Sequence, residues 1–559
     1  MTQNYTQKYC KIRILLLLVL FSNVIQAQTT TWNGSWDNNE PDSTKDVFFI
    51  ANYTSTVNIT AKSITVSNNA VVIIQGGISP HTLTVQDNIS ITGANSKLIF
   101  ENNASLLQIN ASIINTDNIV YKRDANPMQQ YEYTYWGSPV TNQTLVGFSP
   151  LTRSDRYYTF NADPLVNNYV SASPNNTMFP TTGYVIRAPE NYTATKQTFN
   201  GEFVGTPNNG NYSASVNAYS LALKNSNLIG NPYPSAISIP SLYAANSNLG
   251  PMYFWTHKTG ITNNVFTNAD YAIRTQTSGT AAYLGDPIPG DYIAAGQGFF
   301  ASSGTTGFIN FNNSMRVANF NSQFFRTGNL SIQNPPLNYY FWLNMTNIGG
   351  AFKQMSLGYQ DNATNGYDFG IDAGAAAGTS INFYSLIGND AFAVQGRSYP
   401  WNINDVVPIG YSSTIADSFN ISIDHTDAFF NTQDIFLEDT TLAVFHNLKN
   451  GSYNFNTAIG TFNSRFKIHY VNPTLSNNGF FTNSNSVYVT SKDNEIQINS
   501  TLIKIKNIQI YNILGQLLFE QKNSNLNKFF ISKVAKQNQA LIVKTELENG
   551  QIVSKKLIF

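Results

Sequence analysis

The chain has 559 residues, enough for about four domains and several separate cores. Lys+Arg and Asp+Glu both total 32, and this zero balance gives no electrostatic reason to expect nucleic acid or an anionic membrane as partner. Hydrophobic residues make up 42% and charged residues only 11%, against roughly 25% charged in an ordinary domain, so Asn, Ser and Thr must cover the surface.

In chain order, the first segment is "MTQNYTQKYCKIRILLLLVLFSNVIQAQTT". Lys8, Lys11 and Arg13 precede an apolar run from Ile14 to Phe21, which is too short to span a bilayer. Ala27 offers a small residue for cleavage before Gln28. Residues 1–27 therefore read as a secretory signal peptide rather than a membrane anchor. Cys10, the only cysteine, lies before the apolar run, so the mature chain is expected to begin at Gln28 and to contain no cysteine. No further stretch is apolar enough for a transmembrane segment.

Residues 28–125 carry short apolar pairs at nearly regular intervals: Ile64/Val66, Val72/Ile74, Leu83/Val85, Ile89/Ile91, Leu98/Phe100 and Leu107/Ile109. Gly- and Asn-rich turns separate them. Strands this short with a loose repeat favour a small β-solenoid over an antiparallel sandwich, each rung stacking an inward residue on the next. From 126 to 321 aromatics cluster with Gly, Pro and Asn, and no stretch keeps helical periodicity, which implies a second all-β domain with long loops. Residues 322–472 alternate through "FNISID", "DIFLED" and "RFKIHYV" and read as a β-sandwich. Residues 473–486 read as a linker. The last unit, 487–559, contains two apolar strands joined through Gly515 and closes on "ALIVKTELENGQIVSKKLIF", a hairpin whose tight turn falls at Asn549-Gly550. An apolar last residue in so small a unit is expected to be packed in a completed sheet rather than frayed. The expected fold class is all-β throughout: a solenoid, sandwich-like middle domains and a small immunoglobulin-like sandwich.

The last unit resembles the C-terminal sorting domains of proteins exported by the type IX secretion system of Bacteroidota. The parts that carry the resemblance are "IQIYNILGQLLFE" and the terminal "ALIVKTELENGQIVSKKLIF". The Pro-Asn-Pro element that opens the type A variant is missing from "SVYVTSKDNEIQINST", and the ending is closer to type C. Upstream, "NPMQQYEYTYWGSPV", "NLIGNPYPSAI", "AAGQGFF", "FNNSMRV", "GAFKQMSLGYQDNATNGYDFGIDA" and "FNSRFKIHYVN" look like blocks of large flavobacterial surface proteins. The resemblance implies passage through the periplasm to the outer-membrane surface or the medium. Its implied partners are the type IX translocon and the machinery that processes the C-terminal domain.

Chemistry-bearing motifs are sparse. None of His81, His257, His425, His446 and His469 has metal-ligand spacing with another, and no nucleophile elbow or phosphate-binding loop occurs. Asp424, His425 and Asp427 read either as a general-base pair or, preferably, as a polar turn. In "DNATNGYDFGID", Asp361, Asn365, Gly366, Asp368 and Asp372 approach calcium-loop spacing, but Ala363 occupies a ligand position, which favours an Asn-Gly turn. Tyr133, Tyr135, Trp136, Tyr253, Phe254 and Trp255 could stack on sugar rings, though large aromatics are mostly buried and the core is the favoured place for them. Asp42-Ser43-Thr44 and Asp439-Thr440-Thr441 resemble a Bacteroidota O-glycosylation motif. The expectation is a non-enzymatic secreted protein with a structural or adhesive role and with no catalytic residue, cofactor or metal site. A glycan-binding accessory protein is the alternative, and a polysaccharide lyase or hydrolase the remote third reading.

Overall fold

The structure is a computed structural model. It describes residues 28–220, 226–256, 270–323, 339–375, 380–427, 429–472, 487–492, 494–501, 503–548, 550 and 552–559. Ala27, His257, Asn549 and the expected linker at 473–486 lie outside them. About 51% of the described residues are strand and 4% helix, so the class is all-β. Among the described residues no helix is long and apolar enough to cross a membrane. The chain forms two compact units, one ending at Val471 and one running Asn472–Phe559.

The first unit opens as a parallel solenoid with three faces. Strands Lys45–Phe49, Ser63–Val66 and Ile89–Ile91 stack on one face. Tyr53–Thr54, Val71–Ile74 and Lys97–Phe100 stack on the second, and Ile59–Ala61, Thr82–Val85 and Ser105–Gln108 on the third. The registers put like on like: Val47 beside Ile64 beside Ile89, Ile74 beside Phe100, and Ile59 beside Leu83 beside Leu106. These residues are buried and form one narrow core, which is what the short apolar pairs were for. The last pair is corrected by one residue. Leu106 is buried and Leu107 only half-buried, while Ile109 is exposed. A one-residue slip exchanges the faces of a strand. Here Gln108 takes the inward place, donating to the Asp87 carbonyl at 2.7 Å and to Asn115 at 3.0 Å.

The solenoid does not end in an open edge. Strand Ile119–Asp124 pairs in parallel with Lys97–Phe100 and antiparallel with Asn200–Pro207, so its sheet runs on into the following region. Buried polar groups fasten the two regions together. Arg316 donates to the Leu106 carbonyl at 2.6 Å and to Asn209 at 3.1 Å, with its guanidinium over the Tyr233 ring. Burial pushes its pKa down to about 10. Arg123 donates to the Asn321 carbonyl at 2.6 Å and to Asn102 and Asn103. The buried amide of Asn231 donates to the carbonyls of Ser235, Ile293 and Ala294. Side chains that satisfy buried carbonyls remove a large desolvation penalty.

The blocks "YWGSPV" and "NLIGNPYPSAI" meet at a pair of glycines. A Cβ on Gly137 would stand 2.8 Å from the Gly230 Cα, so neither position has room for a side chain.

Beyond Tyr339 an 11-stranded sheet curls over one core. Its edge strands, Val444–Asn447 and Tyr453–Thr457, follow each other in the chain. Phe341, Leu357, Ile409, Ile421 and Phe466, drawn from strands across that sheet, share the interior. Alternation implied strands here, and they join one curled sheet rather than the two separate sheets of a sandwich.

The second unit packs a three-stranded sheet, Val487–Lys492, Glu495–Ser500 and Lys528–Ile531, with a four-stranded one, Leu517–Gln521, Ile505–Asn512, Ala540–Leu547 and Ile552–Ile558. Ile496, Ile498, Ile508, Ile510, Leu541, Val543 and Phe559 are part of its own core.

Candidate functional site

The C-terminal hairpin pairs Ala540–Leu547 with Ile552–Ile558 from Ala540 opposite Ile558 to Glu546 opposite Ile552. Leu541, Val543, Thr545 and Leu547 face the core, while Ile542, Lys544 and Glu546 face outward. Gly550 takes φ +83, the left-handed value a tight turn needs, and its N–H donates to the Leu547 carbonyl at 2.9 Å. The chain end is held beyond this ladder. Phe559 is 1% exposed, and its backbone is hydrogen-bonded to Gln537 and Gln539. Burying that ring contributes about 1.5–3 kcal/mol. The outer side of the unit keeps apolar residues in water: Ile513, Leu514, Leu517, Ile542, Ile552 and Ile558 are all exposed. Gln28, at the expected processing point, is the first residue of strand Gln28–Trp32.

The aromatic set considered for sugar stacking is core. Trp136 and Phe254 are about 1% exposed, and Tyr135 and Trp255 are buried, with Tyr133 and Tyr253 half-buried. Tyr135 stacks on Trp255 at 5.8 Å and meets Phe300 edge-on, joining two sheets. Its hydroxyl lies 2.6 Å from those of both Tyr169 and Tyr271. Burial holds the Tyr135 and Tyr271 phenols well above their ordinary pKa.

Asp424 and His425 form a closer arrangement than a simple turn. The pairing of strands Tyr339–Asn347 and Asp417–Thr426 slips between Trp342 opposite His425 and Leu343 opposite Ile423, which makes Asp424 a bulge. Neighbours on a regular strand point to opposite faces, and a bulge re-aims one of them. His425 Nδ1 is thereby 2.6 Å from Asp424 Oδ2, and its ring stacks on Trp342 at 4.0 Å. Asn344 donates to Asp424 at 2.8 Å, and Gln354 donates to Asn344 at 3.0 Å. The His425 contact and these hydrogen bonds hold the Asp424 carboxyl below its ordinary pKa. Asp427 is separate: it accepts from the Tyr340 N–H, and burial raises its pKa.

The carboxylates of "DNATNGYDFGID" face backbone donors. Asp368 accepts from the Thr364 N–H and hydroxyl, and Asn365 accepts from Ser398. Asp372, fully buried, accepts from the Asp368 N–H at 2.7 Å and the Gly396 N–H at 2.8 Å. Burial outweighs these two amides and pushes its pKa up to about 7. Among the described residues no group of three or more His, Cys, Asp or Glu is placed to hold a metal ion. Asp439 is likewise committed, bonded to Arg465 at 2.8 Å, and the Thr440 hydroxyl donates to the Ser464 and Arg465 carbonyls.

Among the cavities on the first unit, two bear on function. One, of about 530 Å³, is lined by Tyr219, Asn248, Thr305, Tyr367 and Phe369 among others. Phe369 forms its floor, close over Gly250 and Gly304. The other, of about 300 Å³, lies at the N-terminal end of the solenoid beside Trp32, Trp36 and Tyr53. Sequence reading passed over these two tryptophans because they precede the repeat and carry no periodic signal.

Fold and sites together define a multidomain β-protein with a solenoid, a curled sheet and a separately packed C-terminal sandwich. The chain belongs to the family described as domain of unknown function DUF8693, which matches residues 26–470. A second domain of unknown function, DUF8694, matches residues 475–559, close to the span of the second compact unit. No curated protein matches the chain.

Proposed function

We propose that this is a secreted, non-enzymatic surface protein whose last unit is an export address read by the type IX translocon. In this reading residues 1–27 take the chain into the periplasm and processing leaves Gln28 at the start of the first strand. The folded sandwich then directs passage across the outer membrane and is handed to the processing machinery. The observation that carries the reading is the separate packing of residues 472–559 around a core of their own. Phe559 completes the core of a unit that packs by itself, so the address is a folded surface rather than a loose tail. Ile513, Leu514 and Ile542 are exposed on the same unit and offer apolar side chains to such a reader.

Outside the cell the first unit serves as a structural or adhesive body. Several of its motifs serve the fold: Asp368 and Asp372 accept from backbone amides, and the central aromatics join two sheets. Deleting 472–559 tests the address. The truncated chain should accumulate folded in the periplasm, and its arrival at the surface or in the medium would refute the reading. Glycan binding as an accessory role is the second reading, and the cavity at the solenoid end favours it.

A further inference from the structure

We infer that the cavity at the N-terminal end of the solenoid binds a neutral saccharide, an inference that rests on the glycan-binding reading above and gives it a site and a ligand class.

One wall of the cavity is aromatic. Trp32, Trp36 and Tyr53 pack edge to face, with centroids 4.8 Å apart for Trp32–Tyr53 and 5.2 Å for Trp32–Trp36. All three are half-buried, so each keeps part of its surface in the cavity. A parallel solenoid must cover the end of its core, and Trp36 does so by packing on Phe49 at 5.5 Å. Covering the core does not require polar groups, yet Glu40, Asn52 and Asn58 also line the space.

The two asparagines are fixed in orientation. Asn52 Oδ1 accepts from the Val71 N–H at 2.9 Å, and Asn58 Oδ1 accepts from the Thr82 N–H at 2.9 Å. With their oxygens committed to backbone, their NH2 groups remain as donors, and neither donates to a described residue. The Glu40 carboxylate makes no ion pair among the described residues. The loop that carries it is nonetheless rigid. Buried Lys45 donates to the Glu40 carbonyl at 2.7 Å and the Asn38 carbonyl at 3.1 Å, and Thr30 donates to the Asn39 carbonyl at 2.7 Å. The Trp32 indole N–H donates to the Asn52 carbonyl at 2.9 Å, which sets the angle of that ring.

The result is a hollow with an aromatic wall of mutually inclined rings, fixed amide donors and one strong acceptor. A pyranose ring offers the complement. Its C–H face is apolar, and its hydroxyls each donate and accept, so a vicinal pair can give to a carboxylate and take from an amide. The carboxylate disfavours uronic acids and other anions by charge. A quaternary ammonium is the rival ligand for aromatic rings near a carboxylate. Here the rings meet at 62° and 75° and contact one another, so they line one side of the space without enclosing it.

The test is calorimetric titration of the chain Gln28–Phe559 with soluble gluco-, xylo-, manno- and N-acetylglucosamine oligomers, with tetramethylammonium as the rival probe. At least one neutral oligomer should bind. Trp36→Ala and Glu40→Gln should each weaken it about tenfold. Asn58→Asp, which keeps the oxygen that accepts from Thr82, should do the same. The melting temperature of Glu40→Gln should match that of the parent chain, so a loss of binding there is not a loss of fold. The proposal is overturned if no oligomer binds at millimolar concentration, if binding survives all three substitutions, or if tetramethylammonium binds more tightly than any sugar. Export is read in cells and binding in solution, so either reading can fail while the other stands.

Discussion

Phe559 and Gln539 exchange both backbone hydrogen bonds: the Phe559 N–H donates to the Gln539 carbonyl at 3.0 Å, and the Gln539 N–H donates to the Phe559 carbonyl at 2.9 Å. The final residue of the chain is thus tied by its backbone while its ring fills the core of the last unit. Such an end behaves as a structural keystone of a small sandwich, where each buried side chain is a large share of total stability.

Phe559→Ala should therefore destabilise the last unit by about 3–5 kcal/mol, the usual cost of truncating a buried phenylalanine. Denaturant unfolding of a chain spanning 472–559 measures it. A change within about 0.5 kcal/mol, as for a surface site, would mean that the end is not packed.

Arg316→Ala should loosen the junction between the solenoid and the loops that follow it. The substitution leaves the Leu106 carbonyl and Asn209 Oδ1 without this donor. Asn209 Oδ1 keeps the donor from Asn313, and one buried acceptor left unsatisfied costs about 1–3 kcal/mol, so the first unit should lose roughly 1–3 kcal/mol. Hydrogen exchange at the amides of 105–108 and 235–237 should rise with it, and unchanged protection there would refute the clamp.

Asp372 should make the first unit less stable as pH rises. Its folded pKa is pushed from the model-peptide value of 3.8 up to about 7 by burial. The folded state therefore keeps a proton that the unfolded chain has released, and stability is highest below about pH 4 for this group and falls until pH passes about 7. The full effect is at most about 4 kcal/mol. Thermal melts from pH 5 to pH 8 should show the fall, and Asp372→Asn should flatten it. The variant should also melt lower at every pH, because its NH2 opposes one of two backbone donors. An equally steep fall in the variant would assign the dependence elsewhere.

Chelators and reductants should leave the melting temperature unchanged. The carboxylates at Asp368 and Asp372 already hold backbone amides, and no cysteine follows Cys10. A fall of many degrees with a chelator, abolished in Asp361→Ala, would turn the 361–372 loop into a metal site.

Much of the architecture was legible because β-structure writes a period of two into the sequence. Val543, Thr545 and Leu547 announce an inward face, and Ile64/Val66 and Val72/Ile74 announce stacked rungs. The misplaced pair Leu107/Ile109 shows the limit of that signal. Apolar residues flank Gln108 on a rung whose backbone contacts Arg316 and Asn313, more than two hundred residues away in sequence, and no local pattern encodes this. The continuation of the solenoid sheet into Asn200–Pro207 was hidden for the same reason. Site residues were harder still. The bulge that turns Asp424 toward His425 exists only in the pairing with Trp342 and Leu343. The hollow at Trp32 and Trp36 depends on the loop that Lys45 holds closed.

The most direct test of the account is to place residues 472–559 behind a fluorescent reporter that carries residues 1–27 at its front, in a Bacteroidota host with an intact type IX system. The account predicts that the reporter leaves the periplasm, appears at the cell surface or in the medium, and loses the C-terminal unit, and that the same fusion with Phe559 and strand Ile552–Ile558 removed stays behind. A reporter that remains periplasmic with the complete unit attached would contradict it.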